Sequence, residues 1–188
     1  MAMPAIDRLW TVEEVLALPE DGNRYEVIDG ALLVTPAPSW THGEATLELV
    51  RRLDPWLRET GAGHLKIAPQ DIVYDARTMV EPDLFVVPVV DGRRPRTWEE
   101  AGRLLLAVEI ISPSTARADR VAKRQLYQSR GVPEYWIVDV DARLVERWRP
   151  SDERPEIVAE VLLWLPDPAR PPLQIELPAY FRDVLGES

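Results

Sequence analysis

The 188-residue chain contains no cysteine. That excludes disulfides and thiolate metal sites, and it points to a cytoplasmic home. Lysine is almost missing as well: Lys66 and Lys123 are the only two, against 20 arginines. No apolar run approaches the ~18 residues that a membrane span needs, so no membrane segment is expected. The N-terminus (MAMPAIDRLWTVEE) has no charged head followed by an apolar stretch, and no signal peptide is expected. Positive charge is in deficit, with a net charge of −10. This counts against broad, nonspecific attraction to nucleic acid. Local basic surfaces remain open at Arg51-Arg52, at Arg93-Arg94-Pro95-Arg96 and between Arg117 and Arg130.

What is present is ordinary globular composition, 46% hydrophobic and 29% charged, enough for one domain with a real core. Thr11 and Glu14 have capping-box spacing, which predicts a short helix over 12–18. Tyr25 to Thr35 reads as a hairpin turning at Asp29-Gly30. Ser39 or Thr41 caps a long helix that Gly61 ends, with Pro55 inside it and Thr46, Leu49, Val50, Leu53 and Leu57 as its core stripe. Glu44 and Glu48 fall off that stripe and are expected at the surface. Leu65 to Tyr74 and Val80 to Val87 read as strands, followed by a short helix near Trp98 and a strand over Leu104–Ile111. Residues 115–130 read as a helix closed by Gly131 and Pro133. Glu134–Val140 and Leu144–Arg149 form a strand pair, and weaker strands at Val158–Leu163 and Leu173–Leu177 precede a final short helix. The order predicts an α/β domain around a mixed sheet.

Glu109 is the most informative residue. It lies in the run LLLAVEII, which is short, apolar and stopped by Ser112-Pro113-Ser114, as a strand buried on both faces would be. A carboxylate there costs several kcal/mol unless it is paired, protonated or metal-bound. A second acid, Asp83, opens the run after Glu81-Pro82. Asp83 shares its strand face with Phe85 and Val87, and Glu109 shares its face with Ala107 and Ile111. On neighbouring strands with aligned faces the two carboxylates converge. Oxygen donors of this kind suit Mg²⁺ or Mn²⁺, with the Ile110 carbonyl as a third ligand and open positions for water and a phosphate oxygen.

The segments EPDLFVV, LLAVEIISPST and ADRVAKRQLYQSRGVPEYWIVD resemble the Uma-type endonucleases of the restriction-endonuclease-like superfamily, whose motif is written PD-(D/E)XK. The resemblance spans roughly Tyr25 to Val140. It implies a restriction-endonuclease-like mixed β-sheet core flanked by helices (αβββαβ), in a single nuclease-like domain over 1–188, with the N-terminal helix and hairpin (about 11–35) leading into the core. It also implies a divalent metal and hydrolysis of DNA to a 3′-hydroxyl and a 5′-phosphate. One position departs from the superfamily motif: Ile111 stands where lysine is expected. In the Uma-type branch the next helix supplies the lysine, which makes Lys123 the candidate. Asp119, Lys123 and Tyr127 fall at i, i+4 and i+8 on one helical face, beside an apolar stripe of Ala118, Val121, Ala122 and Leu126. There Lys123 would orient or deprotonate the attacking water. Gln125 on the same helix could reach inward, and the similar family carries a histidine early in the long helix, so His42 is expected to line the site. A homodimer is the simplest way to cut both strands.

Structural alternatives stand beside each of these roles. Asp83 could cap a turn, Glu109 could pair with Arg120 or Lys123, and Lys123 could form a surface pair with Asp119. His42 could be a helix-terminal residue, Gln70 and Asp71 could flank the metal or be loop residues, and Glu81 could be a solvated rim. Trp40, Trp56, Trp136, Trp148 and Trp164 could stack on bases or fill the core. At the level of function the alternatives are a silent nuclease-like fold that binds nucleic acid or protein, and a glycosidase using Asp83 and Glu109 as acid and base.

Overall fold

The computed structural model describes residues 8–187. Thr11 caps α1 (Val12–Leu16) through the reciprocal Thr11–Glu14 capping box. β1 (Arg24–Ile28) and β2 (Ala31–Thr35) form the expected hairpin. Asp29 and Gly30 both take positive φ at its turn, the conformation a two-residue hairpin demands. Ser39 caps α2 (Trp40–Thr60), and left-handed Gly61 ends it.

The expected strands Leu65–Tyr74 and Val80–Val87 are each broken in two. β3 (His64–Ile67) and β6 (Leu84–Val87) lie in one sheet, whereas β4 (Ile72–Asp75) and β5 (Thr78–Val80) lie in another. The breaks fall at Pro69 and Pro82, which have no amide hydrogen to give a ladder. After α3 (Trp98–Ala101) come β7 (Leu106–Ile110), β8 (Tyr135–Asp139), β9 (Leu144–Trp148) and β10 (Glu156–Val158). β11 (Val161–Trp164) pairs with β12 (Leu173–Glu176), and α5 (Leu177–Leu185) follows.

The larger sheet has the order β10-β9-β8-β7-β6-β3, parallel only between β7 and β8. One face buries Leu84, Val86, Val108 and Trp136 against Leu49 and Leu53 of α2 and Phe181 of α5. The other buries Phe85, Ala107 and Ile137 against Leu126 and Tyr127, with Ile28, Ile72 and Val80 of the smaller β2-β1-β5-β4 sheet joining that core. Taken in order, α2, β3, β6, β7, the helix after β7 and β8 reproduce the αβββαβ core, with the β4–β5 hairpin inserted.

The helix after β7 corrects a second expectation. Residues Ala118–Lys123 form a π-helical turn that passes into α4 (Arg124–Ser129), and the Arg124 N–H reaches back to the Asp119 carbonyl. Val121, expected in the apolar stripe, is exposed; Asp119, Lys123, Leu126 and Tyr127, spaced i, i+4, i+7 and i+8, form the buried face instead. On α2, Glu48 is also buried rather than at the surface, held by Arg51 and Arg52. Trp136 and Trp164 fill the core, and Trp40 alone of the five named tryptophans is largely exposed, at 86%.

Candidate active site

β6 and β7 are hydrogen-bonded up to the pair Leu84↔Val108. One step further the same register sets Asp83 opposite Glu109, where the two strands fork. Asp83 fills part of the fork itself, because its Oδ2 accepts the Ile110 N–H at 2.8 Å. In an extended strand a residue's N–H and C=O point to the same side, so the Ile110 carbonyl also faces the Asp83 edge.

Three other elements close over the fork. His42, in the first turn of α2, places Nε2 2.9 Å from Asp83 Oδ2. Arg24 at the start of β1 donates from Nη1 to Asp83 Oδ1 at 2.8 Å and to the Glu81 carbonyl at 3.2 Å. Burial raises the Asp83 carboxyl, but His42, then Arg24 and Lys123 outweigh it and hold the pKa at about 2. From the π-helical turn, Lys123 Nζ reaches Glu109 Oε1 at 2.9 Å, Glu26 Oε2 at 2.9 Å and Asp119 Oδ1 at 3.7 Å. The Tyr127 hydroxyl donates to the same Glu109 oxygen at 3.3 Å. Glu26 is anchored in turn, its Oε1 accepting the Glu81 N–H at 2.8 Å.

The electrostatics follow from burying this many charges together. Burial pushes the Glu109 carboxyl well up; Lys123 opposes the shift, and Asp83, Asp119 and Glu26 add to it. Burial pulls the Lys123 pKa down, yet Glu109, Glu26 and Asp119 together raise it and keep the side chain an ammonium. Glu81 is raised to about 7, by burial first and then by Asp71 and Glu26 against the pull of Arg24. Arg24 Nε is buried without a hydrogen-bond partner.

A family model, Uma2, described as "Putative restriction endonuclease", matches residues 12–179. The chain belongs to the Uma2 family. Its fold is that of a solved structure described as a putative nuclease belonging to DUF820 from Anabaena variabilis. The TM-score is 0.72 at 20% identity, over 93% of this chain and 99% of the other. No curated protein is significantly similar to the chain. Family and fold together support a nuclease function.

In this Uma2 protein Asp83, Glu109, Lys123, His42, Asp119 and Tyr127 all meet at the fork. Asp83 is not a turn cap, and Lys123 is not a surface residue, being only 2% exposed. Arg120 does not serve Glu109 but pairs with Asp139 and Glu146. Gln125 does not reach inward: two residues beyond Lys123 it lies on the exposed side of the helix, and Gln128 instead bonds the Arg149 and Asp152 carbonyls. Glu81 is part of the cluster, 3.9 Å from Arg24 Nη1, and not a solvated rim. Sequence reasoning missed Arg24 and Glu26. A signal existed, because Glu26 shares a strand face with buried Ile28, two residues on, and a charge on a core-facing position needs a partner.

Proposed function

We propose that this Uma2 protein is a DNA endonuclease that uses Mg²⁺ or Mn²⁺ at the fork between Asp83 and Glu109. The observation that carries the reading is the charge balance there. Five acidic side chains, Glu26, Glu81, Asp83, Glu109 and Asp119, gather around two permanent cations, Arg24 and Lys123, with His42 at the edge. Such an excess of oxygen donors fits a hard divalent cation. Among the described residues no three His, Cys, Asp or Glu side chains form a ready-made cation cage. The contacts explain this, since Asp83 and Glu109 turn oxygens toward Arg24, His42 and Lys123. Asp83, Glu109 and the Ile110 carbonyl would hold the ion once Arg24 yields the Asp83 Oδ1. When bound, it would supply an acidified water and a counter-charge for the phosphate.

The protein's own groups divide the remaining work. Lys123 is a poor base, because its acidic neighbours keep it protonated; it fixes Glu109 and offsets charge on the phosphate. Tyr127 orients the same Glu109 oxygen. His42 and the Ile110 N–H fix Asp83. The Arg24 guanidinium, with one unpartnered buried N–H, suits a phosphate oxygen. We read the chain as one nuclease-like domain of a cytoplasmic protein, and a twofold dimer would present one centre to each DNA strand.

The test is cleavage of supercoiled plasmid with Mg²⁺. Nicking or linearisation that stops with EDTA and in Glu109→Gln supports the reading, and products should carry 5′-phosphates. Cleavage that survives both removes it. One observation favours a second reading, a silent scaffold: Arg24 and Lys123 already neutralise the two carboxylates a metal would need. That reading predicts DNA binding without hydrolysis at any metal concentration.

A further inference from the structure

We infer that the loop carrying Arg93, Arg94 and Arg96, with Lys66 on the adjoining sheet edge, is the surface that holds the DNA phosphate backbone beside the cut site. This rests on the nuclease reading and adds to it where the substrate lies. In a chain of net charge −10, most arginines are already committed to carboxylates, among them Arg24, Arg52, Arg58, Arg120, Arg143 and Arg147. Among the described residues, Arg93, Arg94, Arg96 and Lys66 close no such pair, and the three arginines are exposed. Unneutralised cations gathered on one loop of an acidic protein make a local surface that attracts a polyanion.

The loop is built to present them. Val90 and Arg93 exchange two backbone hydrogen bonds of 2.9 Å across a turn in which Asp91 and Gly92 take positive φ. Pro95 is buried, and the Arg96 N–H is tied to Glu100 Oε2 at 2.8 Å. The result is a concave pocket of about 430 Å³ lined by all three arginines together with Asp91 and Glu100, which leaves it a net excess of one positive charge. A second hollow of about 80 Å³ continues from it, bordered by Arg96, Lys66, Gln70, Asp71 and Phe85. Phe85 lies two residues from Asp83 on the same strand face, and Asp71 feels the charge of Glu26. The path therefore runs from the arginine loop to the acidic fork. β3 is an edge strand, so nothing in the sheet covers Lys66 from that side. His64 on the same strand senses both cations: its pKa is lowered by burial first, then by Lys66 and Arg94.

The experiment measures anisotropy of a fluorescent 30-base-pair duplex in Ca²⁺ at several salt concentrations. It compares the wild type with an Arg93→Ala, Arg94→Ala, Arg96→Ala triple variant. The control is Arg77→Ala, Arg154→Ala, Arg182→Ala, which removes the same charge from exposed arginines elsewhere. The loop variant should bind at least about tenfold more weakly, and its plot of log K against log salt should be shallower by about 2 to 3. The control should lose less than about twofold. Wild-type affinity and slope in the loop variant, an equal loss in the control, or no binding by the wild type would each overturn the assignment. Cleavage is scored separately on the same duplex. Loop-dependent binding without wild-type cleavage removes only the catalytic reading, and cleavage with loop-independent binding removes only the surface.

Discussion

Lys123 Nζ lies 2.9 Å from Glu109 Oε1 although the two residues sit on different elements, and Glu26, from a third element, lies equally close to the same ammonium. One buried cation thus ties the hairpin, the central strand and the π-helical turn together.

The first prediction follows from that arrangement. Replacing Lys123 with methionine leaves Glu26, Glu109 and Asp119 facing one another without a counter-charge. Breaking a buried ion pair from one side costs about 3–5 kcal/mol, and urea denaturation should show a loss of that order. Adding Glu109→Gln to Lys123→Met should restore part of it, since one of the stranded charges is gone. A single variant within about 1 kcal/mol of the wild type would mean that the three carboxylates do not depend on Lys123.

Glu81 gives a pH dependence with a defined sign. Its carboxyl is raised to about 7 in the fold, against an ordinary value of 4.5 for a free glutamate. The native state therefore holds this proton more tightly than the unfolded chain. The stabilisation is complete below 4.5, shrinks as pH rises, and is gone above about 7. Glu81→Gln cannot ionise, so its melting temperature relative to the wild type should climb between pH 5 and pH 8. An offset that stays flat across that range would contradict the raised carboxyl.

The buried face of this helix can be checked by two substitutions that the expected stripe of Ala118, Val121, Ala122 and Leu126 would make equally costly. Val121→Lys should change stability by no more than about 0.5 kcal/mol, because the side chain is exposed. Leu126→Ala should cost about 2–5 kcal/mol by emptying the core under the sheet. A large penalty at Val121 would place it inside, as the expected apolar stripe does.

These cases also show how far the residues alone could be read. Single elements were legible because their signals are local: the Thr11–Glu14 box, Asp29-Gly30, Ser39 with Gly61, and the unbroken apolar run around Glu109; the αβββαβ order came from the family resemblance. Asp83, Glu109 and Lys123 were legible because each is chemically out of place, an acid in a core strand or one of only two lysines. The split of the two long strands was not read, although Pro69 and Pro82 announce it, because apolar alternation continues across both prolines. Val121 and Gln125 were misplaced because the segment offers two faces, an apolar one through Ala118, Val121 and Ala122 and a charged one through Asp119 and Lys123, and the charged one is buried. Arg24 and Glu26 were missed because their partners lie 59 and 55 positions away, at Asp83 and Glu81. Pairing at that separation is a property of the two sheets meeting, which no local pattern encodes.

The most direct measurement is calorimetric titration of Mn²⁺ into the wild type, Asp83→Asn and Glu109→Gln at neutral pH, with no nucleic acid present. A carboxylate-built metal centre predicts one saturable site in the wild type that both substitutions abolish. Equal binding in all three proteins, or none in the wild type at millimolar Mn²⁺, would contradict a metal centre at the fork of β6 and β7.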